Sequence, residues 1–314
     1  MLVIAIAGSA LLGHQLGSPA ERTIPTKQLT VIDPYAAGGR WYKGNLQLAS
    51  VRGTGKDLPT ALGAWYATHG YDFLGISDTN TYTWTDEYSS RAMPGIPTVD
   101  ASYAFADVLA VGMDHWLPAQ SLQGAIDWIA AQGGLPVLAA PLSRAKPQPA
   151  ATVMGLHGLY GLEVFDARLA FTSPAEADAS VLWDRLLSAG NRVFAFAGDD
   201  ATSLSDPAIG RAWIDVLAPA DDLDSLLSSL RRGAFVASSG AAFTSLSVAG
   251  TTIIAQAGPG SSLRFIGRDG RLLKAVSTTE GSYRANGDEG YVRVEAIRDD
   301  GGRAWSQPFV LSWR

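Results

Sequence analysis

The sequence predicts an α/β domain of six or seven βα units, forming a mainly parallel sheet or barrel, followed by a small all-β sandwich, and two patterns carry that prediction. From Trp41 to Ala218 short apolar runs alternate with amphipathic segments, as βα units around a mainly parallel sheet do. After Asp221 apolar and polar positions alternate between Gly, Asp and Asn turns for about eighty residues, the texture of a β-sandwich. A chain of 314 residues, 47% hydrophobic and 17% charged with nine Trp, has enough apolar material for both cores. The expected division is an N-terminal segment over 1–40, a barrel domain over 41–232 and a sandwich domain over 233–314.

Met1 to Gly17 is apolar, and Ser18-Pro19-Ala20 offers a small-residue cleavage site, so this stretch reads as a secretory leader. No Lys or Arg precedes the apolar run, and a packed N-terminal segment is the other reading; an extracytoplasmic location would follow only from the first. The stretch is too short and too broken by glycine for a membrane span, so no stable membrane insertion is expected.

The barrel strands are expected at Asn45 to Ala49, Phe73 to Ser77, Val108 to Gly112, Pro136 to Ala140, Gly161 to Phe165, Val193 to Ala197 and Trp213 to Leu217. Helical patterns lie between them. Leu58 to His69 has Pro59 in its first turn, Ser121 to Gln132 has Ser121 as a candidate N-cap, and Pro174 to Ala189 stops at Gly190. A further helix, Asp222 to Arg232, leads into strands at Leu263 to Gly267, Arg271 to Ser277, Tyr291 to Arg298 and Pro308 to Trp313. Arg268-Asp269-Gly270 and Asp299 to Gly302 are the expected hairpin turns.

Composition narrows the function. A net charge of −6 without a dense Lys and Arg cluster argues against nucleic acid as a partner. The absence of cysteine excludes disulfides, thiolate nucleophiles and sulfur-bound zinc. In a βα barrel the loops after the strands form the site, and Asp78, Glu163, Asp199 and Asp200 fall at or near such ends. Each alone could be only a loop or helix cap; together they point to one mouth. The histidines add little, because His14, His69, His115 and His157 form no closely spaced ligand pair. His69 sits where a helix C-terminus favours a cation, and His157 lies at the wrong strand end. Only His115, with Tyr82, Trp84 and Trp116, is placed to line a mouth. Gly53 to Asp57 lacks the first glycine and the Ser or Thr of a phosphate loop, and reads as an ordinary loop.

Trp41-Tyr42-Lys43-Gly44-Asn45-Leu46-Gln47-Leu48-Ala49-Ser50 resembles the opening motif of polymerase-and-histidinol-phosphatase (PHP) metallohydrolases, with Gln47 and Ala49 in place of its two histidines. Gly70 to Asn80 resembles the next motif, where Asp78 and Asn80 agree and Thr79 replaces histidine. Gly133 to Pro141 is similar to a third segment with Ala140 for histidine. Gly158 to Phe165 carries Glu163, and Gly198 to Thr202 keeps Asp200 while Thr202 replaces histidine. The glutamate expected near Gly95 to Phe105 is missing. The tail, with Ala304 to Pro308, resembles the β domain appended in one branch of the family.

The resemblance implies a distorted seven-stranded PHP-type barrel that in active members holds a metal cluster for phosphoester hydrolysis. Here Gln47 offers one carbonyl, Thr79 and Thr202 offer neutral hydroxyls, and Ala49 and Ala140 offer no donor. Asp78 and Asp200 are the best remaining metal ligands, suited to a single Mg²⁺, Mn²⁺ or Ca²⁺ with waters. The expectation is therefore a pseudoenzyme without cofactor that binds a small polar ligand or a protein partner at the former mouth. The alternative is a hydrolase with a reduced carboxylate metal site.

Overall fold

The computed structural model describes residues 27–314, so the leader reading and His14 lie outside the described residues. Strand β1 (Leu29–Ile32) is followed by β2 (Arg40–Asn45), α1 (Pro59–Thr68), β3 (Phe73–Leu74), β4 (Thr98–Ser102) and β5 (Asp107–Val111). Next come α2 (Leu122–Ala131), β6 (Leu135–Ala139), α3 (Ala150–Met154), β7 (Gly161–Asp166), α4 (Ala167–Thr172), α5 (Ser180–Ser188), β8 (Phe194–Gly198), β9 (Trp213–Ala218) and α6 (Leu223–Arg232). The remainder is all strand: β10 (Phe235–Ser238), β11 (Phe243–Ala249), β12 (Thr252–Ala257), β13 (Ser261–Gly267), β14 (Arg271–Val276), β15 (Glu280–Arg284), β16 (Tyr291–Arg298), β17 (Arg303–Ser306) and β18 (Phe309–Trp313).

These strands form a mixed five-stranded sheet in the order β4-β5-β6-β7-β8, a three-stranded sheet β11-β12-β15, and a ten-stranded sheet. The ten-stranded sheet runs β1-β18-β16-β17-β10-β9-β2-β3, with β13 and β14 added beside β16. The expected closed barrel of parallel strands does not form among the described residues. β4, β5 and β6 pair antiparallel, as do β2 and β9, and isolated bridges such as Leu48 to Ala201 and Thr79 to Asp100 span gaps between the sheets. The short β3 ends at Leu74, beyond which single backbone hydrogen bonds, from the Gly75 amide to Asn45 at 2.8 Å and from the Ser77 amide to Leu48 at 3.0 Å, carry the pairing on along the loop after β2.

One core fills the space between the two larger sheets, with Tyr42, Phe73, Val216 and Phe235 from one and Leu109, Val137 and Phe196 from the other. A second lies under α2 and α5, where Ile126, Ile129 and Trp183 are buried. In the C-terminal region Leu246, Ile253 and Ala255 of the small sheet pack against Phe265, Val294 and Ala296 of the large one. One layer is thus a continuation of the sheet that begins with β2 and β3, and strand pairing passes without interruption across Arg232-Gly233 through β9 and β10. No helix among the described residues is long and apolar enough to cross a membrane.

Local signals explain the helix limits. Ser121 Oγ accepts from the Gly124 amide and Asp222 Oδ1 accepts from the Ser225 amide, each satisfying a first-turn donor. Gly233 ends α6 at φ 75°, and a Cβ there would lie 2.2 Å from the Phe194 ring. Gly233→Ala should therefore lower the unfolding free energy by about 1–3 kcal/mol in urea titrations; an unchanged midpoint would show that this turn relaxes freely.

Two buried contacts fix the C-terminal strands to β8 and to α5. The Gln307 amide acts as a surrogate strand on β8, accepting from the Ala195 amide and donating to its carbonyl, both at 2.8 Å. Arg293 of β16 pairs with Asp184 of α5 through two hydrogen bonds of 2.7 Å.

Candidate functional site

A cavity of about 290 Å³ opens where β4, β5, the ends of β6 and β8 and the start of α4 approach the loop after β2. Gln47, Ala49, Thr79, Ala140 and Asp200 line it, so five of the expected positions come together there. Two of them, Ala140 (φ 39°) and Asp200 (φ 50°), have left-handed backbone. Nearby Asn80 (φ 53°) does too, its side chain bonded to both backbone groups of Ser102. Such conformations cost on the order of 1 kcal/mol each outside glycine and gather at ligand sites.

The other expected positions are used differently. Asp78 is fully buried and accepts from the Ser50 amide at 2.6 Å and from the hydroxyls of Ser50 and Thr83 at 2.5 Å. Its carboxylate holds the loop after β2 and does not line the cavity. Thr202 turns to Asp206, with its amide and hydroxyl at 3.2 and 3.3 Å from that carboxylate. Asp199 is taken up by Tyr66, Asn45 and the Gly210 amide, and burial raises its pKa to about 7. Trp84 is 63% exposed and packs edge-on against Tyr82, and Trp116 lies against Tyr103. His115 pairs with Asp114 at the surface, and none of these aromatic and histidine side chains lines the cavity. His69 stacks on Trp65 at the end of α1.

Glu163 lies beneath the cavity, 2% exposed, with Oε2 accepting from the Ala140 amide at 2.7 Å and Oε1 without a partner among the described residues. Burial, then the charge of Asp166, raises its pKa well above the carboxylate range. Asp166 caps α4 through the Leu169 amide, and burial followed by the charge of Asp200 brings its pKa to about 8.

Four charged lining residues were not among those expected: Asp100, Asp107, Lys146 and Arg168. Lys146 Nζ donates to Asp107 at 2.6 Å and to Ser102 Oγ at 2.7 Å, and Arg168 reaches Asp200 at 3.4 Å. Asp100 accepts from Thr79 at 3.3 Å, while its other oxygen is buried and unpartnered among the described residues. Burial and the charges of Asp107 and Asp200 raise Asp100 to about 8, so it is mostly protonated at neutral pH.

The donor set does not fit the metal cluster that the sequence resemblance implies. Ala49 and Ala140 present no ligand atom, Asp78 is saturated by hydroxyls, and the carboxylates of Asp107 and Asp200 already face side-chain cations. Among the described residues no group of three or more His, Asp or Glu is arranged to hold a metal ion.

No protein-family model matches the chain, and no curated protein matches it. Among solved structures it is similar to a two-domain protein from Bacteroides vulgatus containing a predicted PHP-like metal-dependent phosphoesterase, at 14% identity and a TM-score of 0.50. That match covers 91% of this chain and 100% of the other. An amidohydrolase from Chromobacterium violaceum, solved with sulfate and no metal, matches at 14% identity over 52% of this chain and 88% of its own, with a TM-score of 0.39. The chain is thus a mixed α/β protein, rich in strands, whose fold is similar along nearly its whole length to that of a two-domain PHP-like protein.

Proposed function

We propose that this chain is a PHP-like pseudoenzyme that binds a small polar ligand, without metal-assisted hydrolysis, in the cavity lined by Gln47, Ala49, Asp100, Ala140 and Asp200. The observation that carries this reading is the pairing of Lys146 with Asp107 and of Arg168 with Asp200 inside the cavity. A divalent cation entering there would have to break those pairs and lie beside two fixed positive charges. With Asp100 protonated, the two pairs leave the lining close to neutral, which suits a ligand that exchanges hydrogen bonds more than one of high charge. The Thr54 hydroxyl is available for that exchange, and the Thr79 and Ser102 hydroxyls, already engaged by Asp100 and Lys146, keep capacity for a further hydrogen bond. The size of the cavity limits the ligand to a small one.

The test joins metal analysis of the purified protein to a panel of phosphomonoesters and phosphodiesters, with and without Mn²⁺, Mg²⁺ or Zn²⁺. The parent is expected to carry no stoichiometric metal and to turn over no faster than Asp107→Ala, Asp200→Ala, which removes the two cation-paired carboxylates that line the cavity. A working metal on those carboxylates would make the parent faster by about 10²-fold or more. A metal-dependent rate of that size, lost in the control, would overturn the proposal in favour of a hydrolase with a carboxylate site.

A further inference from the structure

A second cavity, of about 360 Å³, lies away from the first, where the turn after β1 meets the start of β8, the end of α6 and the start of β18. Its walls are apolar, formed by Ile32, Pro34, Phe194, Pro308 and Val310, and Ile32 is 39% exposed. Arg192 and Arg232 stand at its rim. The Arg232 guanidinium is oriented by the Ser228 and Ser229 hydroxyls at 2.6 and 3.0 Å, neutral partners that leave its charge uncompensated. Arg192 has no hydrogen-bond or ion-pair partner among the described residues. The one acid in the lining, Asp33, has an oxygen engaged by the Tyr35 amide at 2.8 Å, and burial raises its pKa.

We infer that this cavity is a binding site for a small amphipathic carboxylate, with its apolar tail against Phe194 and Val310 and its head group between Arg192 and Arg232. Charge complementarity selects the head. Two guanidiniums against one carboxyl leave an excess of positive charge, and a guanidinium matches a carboxylate with two parallel hydrogen bonds. The walls select the tail, because apolar side chains left open to water gain from covering by a hydrocarbon. A hydrophilic anion would leave the walls wet, and an uncharged lipid would leave the arginines unused.

Isothermal titration of the full chain with octanoate, octanol and inorganic phosphate tests the site. Saturable one-to-one binding of octanoate is expected, at least about tenfold tighter than octanol or phosphate and weakened by salt. Arg192→Ala, Arg232→Ala should lower octanoate affinity by about tenfold or more while octanol binding stays as it was. Ala37→Trp, which fills the cavity from an exposed position, should abolish both, and circular dichroism of each variant reports whether it is folded. Equal affinity for octanoate and octanol, no octanoate binding, or full affinity in a folded double-arginine variant would each overturn the inference.

Discussion

Arg293→Ala is expected to lower the unfolding free energy by about 3–5 kcal/mol, the usual cost of breaking a buried ion pair by removing one partner. The Arg293 side chain is 2% exposed, and each of its three guanidinium nitrogens is used, Nε and Nη2 on Asp184 and Nη1 on Glu295, all at 2.7 Å. Tyr291 donates to Asp184 at 2.7 Å, and the Trp183 ring lies 5.0 Å from the guanidinium carbon. Deleting the guanidinium strands two buried carboxylates that have no other cation partner among the described residues. Replacing the triad by Asp184→Leu, Arg293→Met and Glu295→Leu together should recover most of the loss, because the charges then disappear with their desolvation cost. Urea titrations of the parent, single and triple variants decide the matter: a single-variant loss below about 1 kcal/mol would mean that water reaches the cluster.

That cluster also shows what the sequence could and could not convey. Strand β16 was legible as Tyr291 to Arg298, and its boundaries are those observed. Nothing local revealed that Arg293 and Glu295 within it point into a buried seam against α5, 109 positions away in sequence for Asp184. The start of α2 was readable because a cap is local chemistry, as at Ser121, whereas the helix expected from Pro174 begins only at Ser180, after a separate turn over Pro174–Glu176. β10 went unread because Phe235–Ser238 is buried throughout, with no alternation to mark a face. The same limit governed the site. Gln47, Ala49, Thr79, Ala140 and Asp200 were found by their place in motifs, whereas Asp100 and Asp107 lie on β4 and β5, and β4 was not foreseen as a strand. Lys146 and Arg168 follow β6 and β7 in ordinary-looking loop and helix sequence. Asp78 was misjudged because the hydroxyls that consume it, Ser50 and Thr83, are brought to it by tertiary folding.

Raising the pH from 5 to 9 is expected to destabilise the protein, and Glu163→Gln should remove a distinct part of that loss. Burial raises the folded-state pKa of Glu163 well above its unfolded value, and the neighbouring charge of Asp166 adds to the rise. Between the two values the folded state holds a proton that the unfolded state has released. Stability therefore falls with each step up in pH across that window, and the contribution is fully present only below the unfolded pKa. Asp100 and Asp166, each raised to about 8, act in the same direction, so the parent curve should keep falling through neutral pH. A glutamine keeps an oxygen to accept from the Ala140 amide and cannot ionise. The variant should therefore match the parent within about 1 kcal/mol at pH 5 and exceed it by on the order of 1 kcal/mol or more at pH 9. Urea midpoints taken at unit steps of pH give both curves. Curves that stay parallel from pH 5 to 9 would show that Glu163 is already ionised in the folded protein, and that a cation or ordered water satisfies the oxygen now without a partner among the described residues. That outcome would also weaken the case for a neutral cavity, since an ionised Glu163 beneath Ala140 would favour a cationic ligand in the space above it.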